Sequence, residues 1–133
     1  MSKNKIFIFA NMLIFSIFIM SCSSQEYTTA KLAIQQSDFS KASEWLPKAM
    51  EVEPDNPEIP MVMAIEIHAQ NEDWNEMIAL FDRAMGINSE KVVEIRGAFI
   101  SVKEAVSNYV EFYWAKEFNA VSYTHLTLPT TLS

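Results

Sequence analysis

Side chains able to do chemistry are scarce in this sequence, and their spacing closes more routes than it opens. The 133 residues include one cysteine, Cys22, two histidines, His68 and His125, and two glycines, Gly86 and Gly97. With so few glycines, no Gly-rich loop can cradle a phosphate. A His/Cys metal site lacks its ligands, because no second histidine or cysteine accompanies His68 in the body of the chain, and neither metal nor cofactor is expected. A nucleophile paired with a base lacks its usual members too, so no catalytic residue is expected. Glu51, Glu53 and Asp55 crowd together around Pro54, a composition that reads as a solvated turn. His68 falls near a helix end, where packing or a favourable dipole interaction explains it. Cys22 is left as a lone thiol with no partner for a disulfide.

The N-terminal segment positions that thiol. Lys3 and Lys5 precede Ile6–Met20, a run interrupted only by Asn11 and Ser16, and the small residue Ser21 stands before Cys22. A basic start, an apolar middle and a small residue at the end are the three regions of a secretory signal peptide, and the run is short of the roughly 20 residues a spanning helix needs. Residues 1–21 are therefore expected to direct export. Ile19-Met20-Ser21-Cys22 resembles a bacterial lipobox. That resemblance implies acylation of Cys22, which becomes the mature N-terminus and anchors the chain to a bacterial membrane, facing the periplasm or the cell surface. More than one acyl chain makes such anchorage stable, where one is marginal. On the residues alone, an ordinary signal peptide with an incidental cysteine and an uncleaved anchor stay open.

Behind the leader, one pattern occurs twice, thirty-five positions apart. Ser37-Asp38-Phe39 is followed by Ala42, Leu46, Ala49 and Pro54; Glu72-Asp73-Trp74 is followed by Met77, Phe81, Ala84 and Ser89. An internal period of this length signals stacked helix pairs. Phe39, Ala42, Leu46, Ala49 and Met50 fall at spacings of three and four, as do Trp74, Met77, Ile78, Phe81, Ala84 and Met85, so each set forms one apolar face of an α-helix. Asp73 with Glu76 reads as a capping box, Asn56-Pro57 as a cap with a first-turn proline, and Gly86 as a terminator. The coarse expectation is all-α, with five helices after the leader.

These positions resemble the second helix of a tetratricopeptide repeat, with an aromatic after a tight turn, alanines at two close-packing points and a closing proline. Ser37 stands where that family usually has glycine, Met77 where it has alanine, and Ser89 where it has proline. The resemblance implies two helical hairpins over 22–89, a fragment of an α-solenoid. It also implies a groove lined by the first helix of each pair. Lys31 and Gln35 on one, with Met61, Ile65, His68 and Glu72 on the other, are then the candidate contacts for a partner. Spacing alone fits any amphipathic α-hairpin.

From Ser89 to Ala120 the chain reads as one long helix opening a third, incomplete repeat over 90–120. Val92, Ile95, Phe99, Val102, Val106 and Val110 mark one side, while Tyr109, Phe112, Tyr113, Trp114 and Phe118 spread over nearly every face. A helix apolar all round expects neighbours on several sides, and two pairs fall short of the three or so repeats a solenoid usually needs. The segment Val121–Thr130 resembles the translation of a transposase-based sequencing adapter, which implies that 121–133 is not native sequence.

The formal net charge is −7, and since Lys3 and Lys5 fall in the leader the rest of the chain is more acidic still. An acidic surface argues against nucleic acid, which wants clustered positive charge. It also argues against electrostatic docking on anionic lipid, leaving acyl chains as the membrane contact. Eight methionines read as adaptable core filler. Two functions are compatible with all of this. One is a lipid-anchored scaffold or adaptor that holds a protein or peptide of the cell envelope in its helical groove. The other is the N-terminal module of a larger exported enzyme, a peptidase or cell-wall hydrolase, distinguished by the native sequence beyond Ala120. The lipobox reading predicts that Cys22→Ser abolishes incorporation of a clickable fatty acid in a bacterial host; label retained in that variant would refute acylation at Cys22.

Overall fold

The first two helices begin where a short polar side chain holds a free backbone N–H group. A computed structural model describes residues 23–127; the leader, Cys22 and Leu128–Ser133 lie outside the described residues. Helix α1 (Gln25–Gln35) starts at Ser24, whose Oγ accepts from the Tyr27 N–H at 3.1 Å. Helix α2 (Phe39–Val52) starts at Asp38, whose carboxylate accepts from the Lys41 N–H at 3.1 Å. Helix α3 (Glu58–Met63) follows Asn56-Pro57, and the Asn56 side chain accepts from the Glu58 N–H. It runs on into a π-helical turn, Ala64–His68, in which the Ala69 N–H reaches back five residues to the Ala64 carbonyl.

Helix α4 (Trp74–Asn88) corrects two local expectations. Asp73 occupies the N-cap, but its carboxylate makes no capping bond; Oδ2 lies 3.2 Å from His68 Nδ1 instead, so the capping box with Glu76 does not form. Gly86 does not end the helix, which continues to Asn88.

The two interhelical turns are the same object built twice. After α1, Ser37 takes φ 59 and the Asp38 N–H bonds the Ala33 carbonyl; after the π turn, Glu72 takes φ 58 and the Asp73 N–H bonds the His68 carbonyl, each at 2.9 Å. In both, the left-handed residue also donates to the carbonyl three back. This is the Schellman arrangement, which satisfies the last carbonyls of the outgoing helix and aims the chain back along it. Accordingly Ser24, at the start of α1, donates its N–H to Glu53 at the end of α2. Tyr27 meets Glu58, so the starts of α1 and α3 lie together and the two pairs stack in parallel.

The repeated pattern fills the core for the most part. Ala42, Leu46, Ala49, Met77, Phe81 and Ala84 are all buried, joined by Tyr27, Ile59, Met61 and Ile65. Phe39 departs from this, standing 44% exposed, and Trp74 is partly buried against Tyr113, with ring centroids 5.4 Å apart.

The largest correction concerns residues 89–101, which are not helical. Strand β1 (Val92–Ile95) and strand β2 (Ala98–Ser101) form an antiparallel hairpin in which Val92 faces Ser101 and Ile95 faces Ala98. Arg96 and Gly97 make the two-residue loop with φ values of 51 and 81, both left-handed, as a turn matched to strand twist demands. A lone two-stranded hairpin is marginal in water. This one is held because Val93 and Ile95 are buried in the common core. Helix α5 (Val102–Thr127) then starts beside the end of α4, with the Lys103 N–H on the Ser89 carbonyl. The fold is therefore mostly helical, five α-helices with one small sheet among the described residues. No helix among them is long and apolar enough to cross a membrane.

Non-glycine residues in the left-handed region cost roughly 1–2 kcal/mol each. Ser37→Gly and Glu72→Gly are each expected to raise stability by about 0.5–1 kcal/mol after the extra chain entropy of glycine is offset. Urea midpoints measure this, and a lowered midpoint in both variants would contradict the strain assignment.

Candidate functional site

A concavity with charged walls lies where α1, α3 and the tip of the β-hairpin converge. Lys31, Ile34 and Gln35 come from α1, Val62 and Glu66 from α3 and its π turn, and Glu94 with Arg96-Gly97 from the hairpin; they enclose about 300 Å³. Ile34 and Val62 form an apolar floor between charged walls.

Those walls are set by two carboxylates. Glu58 Oε1 accepts from the Tyr27 hydroxyl and from Lys31 Nζ, both at 2.7 Å, while Oε2 accepts from the Glu94 N–H at 3.3 Å. Burial alone would raise the Glu58 carboxyl, but the bonds from Lys31, Tyr27 and the Glu94 amide outweigh it and hold the group below the usual carboxylate range. Tyr27 moves the other way: burial first, then the bond to Glu58, push its hydroxyl far above the ordinary phenol value. The second carboxylate, Glu66, takes a two-pronged bond from Arg96, Nε to Oε1 at 2.7 Å and a terminal nitrogen to Oε2 at 3.1 Å. This pair raises the guanidinium and clamps the hairpin tip onto α3. Gln35 and Glu94, by contrast, direct no side-chain hydrogen bond or ion pair to any described residue, so both polar groups are open to a ligand.

The residues expected to line a groove divide unequally. Lys31 and Gln35 do line the cleft. Met61 and Ile65 do not: both are fully buried. On a helix each residue advances 100°, and the face of α3 turned toward the cleft carries Val62 and Glu66, one position further along. His68 is partly buried and lies against Asp73 at the turn into α4, and Glu72 is exposed at that same turn. Neither reaches the cleft. A helical reading of 89–120 hides Glu94, Arg96 and Gly97. The signal that marks them is two β-branched and aromatic quartets separated by a dipeptide ending in glycine.

No nucleophile–base pair stands in the cleft, and among the described residues no group of three or more His, Cys, Asp or Glu is gathered for a metal ion. Chemically, the cleft offers an apolar floor, a free amide, a free carboxylate and two neutralised cations. No protein-family model, no curated protein and no solved structure matches this chain.

Because the native Glu58 lies below its unfolded value, its contribution to stability is complete above about 4.5, the unfolded carboxyl value, and is lost as the pH falls through the lower native value. Glu58→Gln is expected to cost about 2 kcal/mol at pH 7, where a charge-assisted network is broken. Melts across pH should show the gap to the parent chain shrinking in acid. A gap independent of pH would mean that the carboxylate charge is not what Tyr27 and Lys31 require.

Proposed function

We propose that this chain is an interaction scaffold of the bacterial cell envelope, anchored by acyl chains on Cys22. In this reading, the cleft between α1, α3 and the β-hairpin tip holds an extended segment of another protein. The observation that carries it is the duplicated turn: Ser37-Asp38 and Glu72-Asp73 share backbone angles and bonding and stack two hairpins in parallel. This supports reading them as tetratricopeptide-like repeats, whose first helices leave a groove between them. Lys31, Gln35, Val62 and Glu66 lie in that position. The free groups of Gln35 and Glu94 can meet backbone or side-chain polar groups of a bound segment, while Ile34 and Val62 supply apolar contact.

A photo-crosslinking residue placed at Gln35 in the lipidated full chain, with Glu51 on the exposed side of α2 as the control position, tests this in cells. The Gln35 site is expected to give one discrete adduct that Glu94→Arg reduces about tenfold, the scale of a lost charged contact. Equal labelling from both positions, or none from Gln35, counts against the cleft as the binding surface.

A further inference from the structure

Helix α5 is longer than anything it packs on. Its 26 residues reach about 39 Å, against about 22 Å for the 15 residues of α4. The two run antiparallel, and Trp74, the first residue of α4, already meets Tyr113. Beyond Tyr113 the helix continues past the start of α4.

Where the two helices part, an apolar slot of about 220 Å³ opens between Trp74, Met77 and Ile78 on α4 and Val110, Tyr113 and Trp114 on α5. Trp114 is 66% exposed, and its ring stacks on that of Phe118 with centroids 5.3 Å apart. Phe118 and Ile78 are exposed as well. Trp74 and Ile78 stand four residues apart, as do Val110, Trp114 and Phe118, so each helix presents a continuous strip to the same slot. The slot shares no residue with the α1–α3 cleft, and its role is independent of that site.

Its surround is acidic. Glu117 is the one charged residue of the lining. Asp82 stands four residues after Ile78 and Glu111 three before Trp114, which places each beside the apolar strip. None of these three carboxylates makes an ion pair or hydrogen bond with a described residue. Neither Lys116 nor Arg83, the cations next to them in sequence, forms an ion pair with any of the three. A second copy of this chain would bring the same carboxylates against themselves, in a molecule already carrying a formal charge of −7.

We propose that the α4–α5 slot is a docking site for a basic amphipathic helix of another protein. Apolar side chains at i, i+4 and i+7 seat between Trp74, Ile78 and Trp114, and flanking Lys or Arg side chains meet Asp82, Glu111 and Glu117. The apolar contact supplies affinity; the acidic rim supplies the choice of charge.

Titrating the full chain with a labelled helical peptide of about five turns, leucines on one face and lysines on both flanks, tests this against the same peptide with glutamates replacing the lysines. The lysine peptide is expected to bind about tenfold tighter than the glutamate peptide, a preference of the size that a few rim charges give. Trp114→Ala should weaken it about tenfold while leaving the melting transition unchanged, since that side chain is largely exposed. The double variant Glu111→Lys with Glu117→Lys should reverse the preference. Equal binding of the two peptides, or a preference that survives the reversal, overturns the proposal. So does a dimer that Trp114→Ala dissociates and the lysine peptide does not displace, because the slot is then covered by a second copy.

Discussion

The Glu58 carboxylate joins three elements that are remote in sequence: Tyr27 and Lys31 on α1, its own helix α3, and the backbone of β1 at Glu94. Taking a carboxylate out of water is unfavourable unless its lone pairs are filled, and here the phenol, an ammonium and a peptide N–H fill them. The geometry is demanding, so it fixes how the starts of α1 and α3 sit together and where the β-hairpin lies across them. The cleft is the space left beside that junction. Its floor and walls follow from one polar knot being satisfied, and among the described residues no buried side-chain donor or acceptor is left without a partner.

Around the knot, the architecture is economical. One turn, used twice, reverses the chain by placing a non-glycine residue in the left-handed region and closing the same pair of backbone bonds. Small residues let the helices approach: Ala30, Ala33, Ala42, Ala49, Ala64 and Ala84 are all buried between larger side chains such as Leu46, Phe81 and Ile65. The β-hairpin breaks the helical rhythm because Gly97 permits a two-residue reversal and because Val93 and Ile95 bury better as alternate strand positions than as one side of a helix. Arg96 then carries the tip back to Glu66, which makes the hairpin a wall of the cleft.

Two surfaces with different chemistry result. The α1–α3 cleft is polar at its walls with neutralised cations, suited to hydrogen bonds with an extended chain. The α4–α5 slot is apolar with an acidic rim, suited to a helix. Large apolar patches on a folded chain commonly mark contact surfaces, and this general rule underlies the docking proposed for the slot.

The sequence by itself determined the helical class, the two hairpins and most of their inward faces. Local rules suffice there: the three-and-four spacing of Ala42, Leu46 and Ala49, and a repeated turn with its own signature. Tertiary structure decided what local pattern leaves degenerate. Val92, Ile95, Phe99 and Val102 fit a helical period while Val93 and Ile95 fit a strand's alternation, and only the core that receives the latter pair selects the strand. Which side of α3 opens to solvent is likewise a rotation of 100° per residue, settled by Glu58 binding Tyr27 and Lys31. That rotation buries Met61 and Ile65 and presents Val62 and Glu66. The candidate site was therefore half legible, through Lys31 and Gln35, because the rest of its lining comes from α3 and from the hairpin, about thirty and about sixty positions further along the chain, and distant contacts leave no periodic trace.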